Sequence, residues 1–121
     1  MENRNVPEKD LYQIAIKALY HTFQTKGVDA TFTVTADRIP DEILKYVRDE
    51  VLFLIDRRDF RPDIMGVVRS SPLGLGIILS EKLITVEVKN EEIGLGDWFQ
   101  AKNYGDLYDA PIAMLISTEP I

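Results

Sequence analysis

The chain has 121 residues, 45% hydrophobic and 28% charged, the composition of a single globular domain able to bury a core without covalent or metal staples. It contains no cysteine and one histidine, His21. Disulfide frameworks, thiolate zinc sites, cysteine nucleophiles and multi-histidine metal centres are therefore excluded. A net charge of −6 argues against a general nucleic-acid binder, whose surface must neutralise phosphate.

Residues 7–26 carry the clearest helical pattern, with Leu11, Ile14, Ala15, Ala18 and Leu19 at helical spacing and Ile16, Tyr20 and Phe23 widening the apolar face. Pro7, Glu8 and Asp10 suit the first turn, and Gly27 suits the stop. His21 reads as a surface residue near the helix end. Residues 31–35 alternate and are β-branched, which predicts a strand. Pro40-Asp41 precedes Ile43, Leu44 and Val47 at helical spacing and predicts a short helix start. The apolar run 51–55 suits a strand buried on both faces, or an extension of that helix. After a charged turn at 56–59, Pro62 is expected to begin a strand with Asp63 just inside it. Gly74-Leu75-Gly76 reads as a hairpin connection, with a short strand at 77–79. Residues 83–89 form a β-branched strand. A helix over 97–108, with Asp97 as N-cap and a stripe of Trp98, Ala101 and Tyr104 or Gly105, precedes a last strand over 111–118. One domain spanning 1–121 is expected.

No apolar run approaches the roughly 20 residues that cross a bilayer, so no membrane partner is expected. Met1-Glu2-Asn3-Arg4-Asn5 lacks the apolar stretch of a signal peptide, which makes the cytoplasm the expected compartment.

The chemistry concentrates in Arg61-Pro62-Asp63 and Glu87-Val88-Lys89. On a strand, Thr85, Glu87 and Lys89 share one face while Ile84, Val86 and Val88 share the other. An acid and a lysine two apart, with an Asp from the preceding strand, suit metal-assisted phosphodiester hydrolysis. Carboxylate oxygens hold a hard divalent cation, and an ammonium orients water or steadies phosphate charge. Carboxylates in such a site also add negative charge that the ion cancels. Arg57, Arg58, Arg61 and Arg69 flank Asp63 in sequence as a candidate basic patch. Gln100 and Tyr104, one helical turn apart, share a face.

Pro62-Asp63, Glu87-Val88-Lys89 and the order of elements together resemble the PD-(D/E)XK, or restriction-endonuclease-like, nuclease superfamily. Gln100 and Tyr104 are similar to the Gln-x-x-x-Tyr signature of its exonuclease branch, alongside its Holliday-junction-resolvase-like members. The resemblance implies an α/β core with a central mixed sheet flanked by helices, in α-β-β-β-α-β order. It implies Mg2+ or Mn2+ held by Asp63, Glu87 and the main-chain carbonyl of Val88, with Glu8 as a further ligand from the first helix. Lys89 and Gln100 would complete the catalytic set, and Arg57, Arg58, Arg61 and Tyr104 would meet nucleic acid, DNA rather than RNA. Action as a homodimer, or recruitment by a protein partner, would supply the affinity an acidic chain lacks.

Other readings of the same residues stay open. Glu87 and Lys89 also fit a solvated cross-strand charge pattern. Gln100 can simply be exposed, with Tyr104 packed on the sheet, and Glu8 can serve only the helix start. A catalytically inactive module of the same fold is one rival. The other is an unrelated α/β module presenting Phe53, Trp98 and Tyr108 to protein partners.

Overall fold

The most periodic stretch of the sequence folds as helix α1 (Glu8–Thr25) in a computed structural model that describes residues 8–70 and 80–117. Leu11, Tyr12, Ala15 and Leu19 form its buried stripe, whereas Ile14 and Tyr20 face outward. The stripe is thus rotated slightly from the expected one and takes in Tyr12. Gly27 closes the helix at φ 72°, where the Val28 amide bonds back to the Phe23 carbonyl at 2.9 Å, a left-handed stop that glycine adopts without strain.

Strand β1 (Asp29–Val34) pairs antiparallel with β2 (Ile64–Ser70), and β2 pairs antiparallel with β3 (Ser80–Lys89). After helix α4 (Leu95–Leu107) the chain returns as β4 (Ile112–Ser117), parallel to β3. The sheet order is β1-β2-β3-β4. The 24 positions that separate Asp63 from Glu87 are mostly strand, because β2 has 7 residues and β3 has 10. The Gly74-Leu75-Gly76 connection and the strand expected at 77–79 lie outside the described residues.

Helices α2 (Asp41–Leu44) and α3 (Asp49–Leu52), then a single 3-10 turn (Arg58–Phe60), occupy the chain between β1 and β2. Pro40 is the N-cap of α2 and Asp41 its first residue, as the sequence predicts. The run 51–55 is not a strand. Asp49 and Glu50 favour the positive end of a helix, and the following turns close locally through Leu54 N–H to Val51 O at 2.9 Å and Arg57 N–H to Leu54 O at 3.1 Å. Val51 is buried, but Phe53 is 77% exposed. A five-residue apolar run does not distinguish strand from helix, and here the acidic first turn decides.

Two buried clusters define the layers. Ile39, Ile43, Val47, Val51, Tyr104 and Tyr108 pack on Met65, Val67 and Leu83. On the opposite face Tyr12, Ala15 and Leu19 pack with Ile64, Ile84 and Val86. The result is a mixed α/β fold with a four-stranded mixed sheet flanked by helices. The expected alternation on β3 is therefore seen, with Leu83 facing α4 and Ile84 and Val86 facing α1. Asp97 is not the cap of α4. Gly94 is, and Asp97 in the first turn accepts its N–H at 2.9 Å. Trp98, expected in the apolar stripe, is 58% exposed, leaving Ala101, Tyr104 and Gly105 buried. Among the described residues no helix is long and apolar enough to cross a membrane.

Two core positions lead to opposite predictions. A Cβ on Gly66 would lie 2.6 Å from the Phe32 ring and 2.7 Å from the Thr31 carbonyl oxygen, so Gly66→Ala should cost about 1–3 kcal/mol in chemical denaturation. The Thr85 hydroxyl is buried with no hydrogen-bond partner, so Thr85→Val should raise stability by about 1 kcal/mol in the same assay.

Candidate functional site

The register that pairs Ile64 with Val86 brings residue 63 level with residue 87 when extended by one step. Asp63 thus sits just before β2 rather than inside it, beside the end of β3. Two bonds join the segments: the Asp63 amide donates to Glu87 Oε2 at 2.8 Å, and the Val88 amide donates to Asp63 Oδ2 at 2.8 Å. Both carboxylates are 5% exposed.

The turn carrying Asp63 is held from several sides. Thr35, itself buried, donates its hydroxyl to the Pro62 carbonyl at 2.7 Å and its amide to the Asp63 carbonyl at 2.9 Å. Arg61 donates to the Ala36 carbonyl at 3.1 Å and the Ile55 carbonyl at 2.8 Å. The Tyr108 hydroxyl donates to the Phe60 carbonyl. Asp63 Oδ1 accepts from the Tyr12 hydroxyl at 3.0 Å and from Arg58 Nη2 at 2.6 Å. The carboxylate is therefore positioned by α1, the 3-10 turn and β3 together.

Burial pushes the Glu87 carboxyl up to about 7, and the neighbouring Asp63 charge adds to the effect against the pull of the Asp63 amide, Arg58 and Lys89. Lys89 lies two residues along the strand and pairs with Asp97 Oδ1 at 3.4 Å. Asp97 lies below its ordinary value because it accepts the Gly94 amide and faces Lys89. Burial, then the Glu87 charge, raises the Tyr104 hydroxyl.

The expected residues separate into distinct settings. Asp63, Glu87, Val88 and Arg58 meet directly, and Lys89 adjoins them on β3. Gln100 is exposed and reaches Tyr104 Oη at 3.4 Å. Tyr104 itself is 4% exposed within the core under α4, a packing position rather than a surface for nucleic acid. Arg61 spends its guanidinium on main-chain carbonyls. Arg57 is exposed, over the Phe60 ring at 5.5 Å. Arg69 does not join the cluster. It lies far along β2, paired with Glu81 at 3.2 Å and near Asp29 at 3.9 Å. Tyr108 is buried rather than presented to partners, while Phe53 and Trp98 are exposed. The Glu8 side chain lies outside the described residues.

Tyr12 and Thr35 belong to the site's surroundings without a role assigned by the sequence, and Asp97, expected only as a helix cap, joins them through Lys89. For Tyr12 a signal exists: Tyr12, Ile16, Leu19 and Phe23 form an alternative stripe at helical spacing. Thr35 carries none, because its partners come from a segment 27 positions away.

Two buried carboxylates, each bonded to the main chain of the other's segment, offer the hard oxygen donors that Mg2+ or Mn2+ takes, and Mg2+ is commonly held by one or two protein carboxylates with waters completing its shell. Burial first, and the Asp63 charge second, make the ionised Glu87 carboxylate unfavourable, and a bound cation would offset both. The donor set therefore fits the group. Among the described residues no cluster of three or more His, Cys, Asp or Glu exists for a richer site. Beside the acids, Arg58 and Tyr12 line a cleft of about 600 Å3 with Lys9, Gln13 and Asp37.

No protein-family model, curated protein or solved structure matches the chain.

The Glu87 environment predicts a pH-dependent stability. Its carboxyl sits at about 7 in the fold against 4.5 ordinarily, so the folded state binds the proton more tightly than the unfolded chain. This favourable contribution is present below about pH 4.5 and is lost as pH rises through about 7, at up to about 1.4 kcal/mol per pH unit in that window. With a chelator present, Glu87→Gln should gain thermal stability relative to the parent as pH rises from 5 to 8. A difference independent of pH would contradict this account of Glu87.

Proposed function

We propose that the protein is a metal-dependent nuclease of the PD-(D/E)XK type, acting on DNA rather than RNA. The observation that carries this reading is the meeting of two buried carboxylates, Asp63 and Glu87, at the ends of adjacent strands, with Lys89 two positions on. The succession of α1, β1, β2, β3, α4 and β4, with short helices inserted after β1, supports it.

In this reading Asp63 and Glu87 would hold Mg2+ or Mn2+, with the Val88 carbonyl and Glu8 as further candidate ligands. When bound, the ion supplies Lewis acidity at the phosphate and eases deprotonation of the attacking water. Lys89 orients that water or steadies phosphate charge. Its pairing with Asp97 fixes the ammonium at the N-terminal turn of α4. Gln100, one turn further along α4, orients Lys89 or the nucleic-acid backbone. Arg57 and Arg58, both exposed, are the candidate phosphate contacts, whereas Arg61 is engaged by main-chain carbonyls. With a net charge of −6, the chain acts as a homodimer or through a recruiting partner.

A second reading has its own support. The Asp63 carboxylate already accepts three protein donors and Lys89 is paired, the arrangement of a nuclease-like fold that serves as a binding or assembly module.

Incubation with Mn2+ and labelled single-stranded, duplex and branched DNA, with RNA in parallel, separates the two. The nuclease reading expects cleavage that a chelator abolishes. Asp63→Asn should remove it, and Lys89→Ala should lower it by about 100-fold or more while leaving Mn2+ binding in calorimetry intact. Substrates left uncut over a wide protein excess, with no Asp63-dependent heat of metal binding, would establish the module instead.

A further inference from the structure

Asp63 carries more donors than a carboxylate reserved for a metal ion. Oδ1 accepts both the Tyr12 hydroxyl at 3.0 Å and Arg58 Nη2 at 2.6 Å, and Oδ2 accepts the Val88 amide. A carboxylate offers about four lone-pair directions, two on each oxygen. Both directions on Oδ1 are therefore taken, and an ion that uses this oxygen must displace a donor.

The three donors differ in how readily they leave. The Val88 amide belongs to the strand backbone, and Tyr12 is buried on α1. Arg58 stands on a 3-10 turn of only 3 residues, and its side chain is 48% exposed. A second bond, from Nη1 to the Arg61 carbonyl at 2.5 Å, anchors one edge of the guanidinium. It is also the only charged donor among the three, so it alone repels an incoming cation. The guanidinium already lines the cleft of about 600 Å3 beside the acids, so it has open space to move into.

We propose that Arg58 is the exchangeable countercation of Asp63: the guanidinium and a divalent ion are alternative occupants of Oδ1, and metal binding turns Arg58 out into the adjoining cleft. This rests on the metal-site reading of Asp63 and Glu87. It makes Arg58 a positioning residue whose location reports the state of the site, turned inward without the ion and toward substrate phosphate with it. The coupling is reciprocal, so the pair with Arg58 weakens metal binding by the same factor by which the metal weakens the pair.

Mn2+ binding measured by calorimetry and by electron paramagnetic resonance on the parent protein, Arg58→Lys, Arg58→Gln and Asp63→Asn tests the exchange. Removing the competing charge should tighten Mn2+ binding in Arg58→Gln by a factor within the usual coupling range of about 5–150. Arg58→Lys, which keeps the charge without the planar fork, should fall between it and the parent. Binding in Arg58→Gln equal to or weaker than the parent's, with the parent's binding lost in Asp63→Asn, would overturn the exchange and leave the metal site standing. No Mn2+ binding by parent or Arg58→Gln would remove the metal site and the exchange together. Nuclear magnetic resonance of the arginine side chains in the parent gives a readout that does not require any variant to fold. Saturating Mg2+ should shift the Arg58 Nε–Hε signal and speed its exchange with water, and an unmoved signal would overturn the proposal.

Discussion

The acidic end of the sheet depends on a reciprocal pair of bonds, Asp63 N–H to Glu87 and Val88 N–H to Asp63. Each carboxylate is held by the main chain of the other's strand segment. Burying two carboxylates side by side is costly unless their oxygens find donors. Here the edges of the two segments supply those donors, with Tyr12 and Arg58 completing the set around Asp63. The pairing register of β2 and β3 thereby becomes a condition for the site. A slip of one residue would turn Glu87 into the α1 layer and remove both bonds.

The compensation is uneven. Asp63 has a guanidinium and three donors in all, whereas Glu87 has one main-chain donor and a lysine shared with Asp97. Burial, with the Asp63 charge beside it, accordingly raises the Glu87 carboxyl. Such a division is common where a fold keeps an unfavourable charge for use, because binding sites are drawn from features that stability alone would discard.

The alternation in 83–89 was readable because a strand's faces follow from a period of two, and the meeting of Asp63 with Glu87 follows once those strands pair. The second Pro-Asp pair was equally readable as a helix start, since Pro40 precedes two acids and an apolar spacing. The apolar run 51–55 stays open between strand and helix when read by periodicity alone; the sheet, which pairs β1 with β2 directly, leaves no place for a strand between them. Arg61 and Arg58 look interchangeable in sequence. Only the tertiary positions of the Ile55 and Ala36 carbonyls make the first a clamp for the chain and leave the second at the acid. Arg69 leaves the expected basic patch for a related reason: a strand advances about 3.3 Å per residue, so six positions beyond Asp63 carry it to the far end of β2.

That same arithmetic bears on the far end of β2 and β3. Asp63 stands before the first residue of β2 and Glu87 near the last of β3, so the paired residues Ser70 and Ser80 lie at the other end of the two strands, about 20 Å from the acids by strand rise alone. A substitution at the Ser70–Ser80 pair therefore reaches the acidic mouth only through the full length of two strands, which insulates the carboxylates from changes at that end of the sheet.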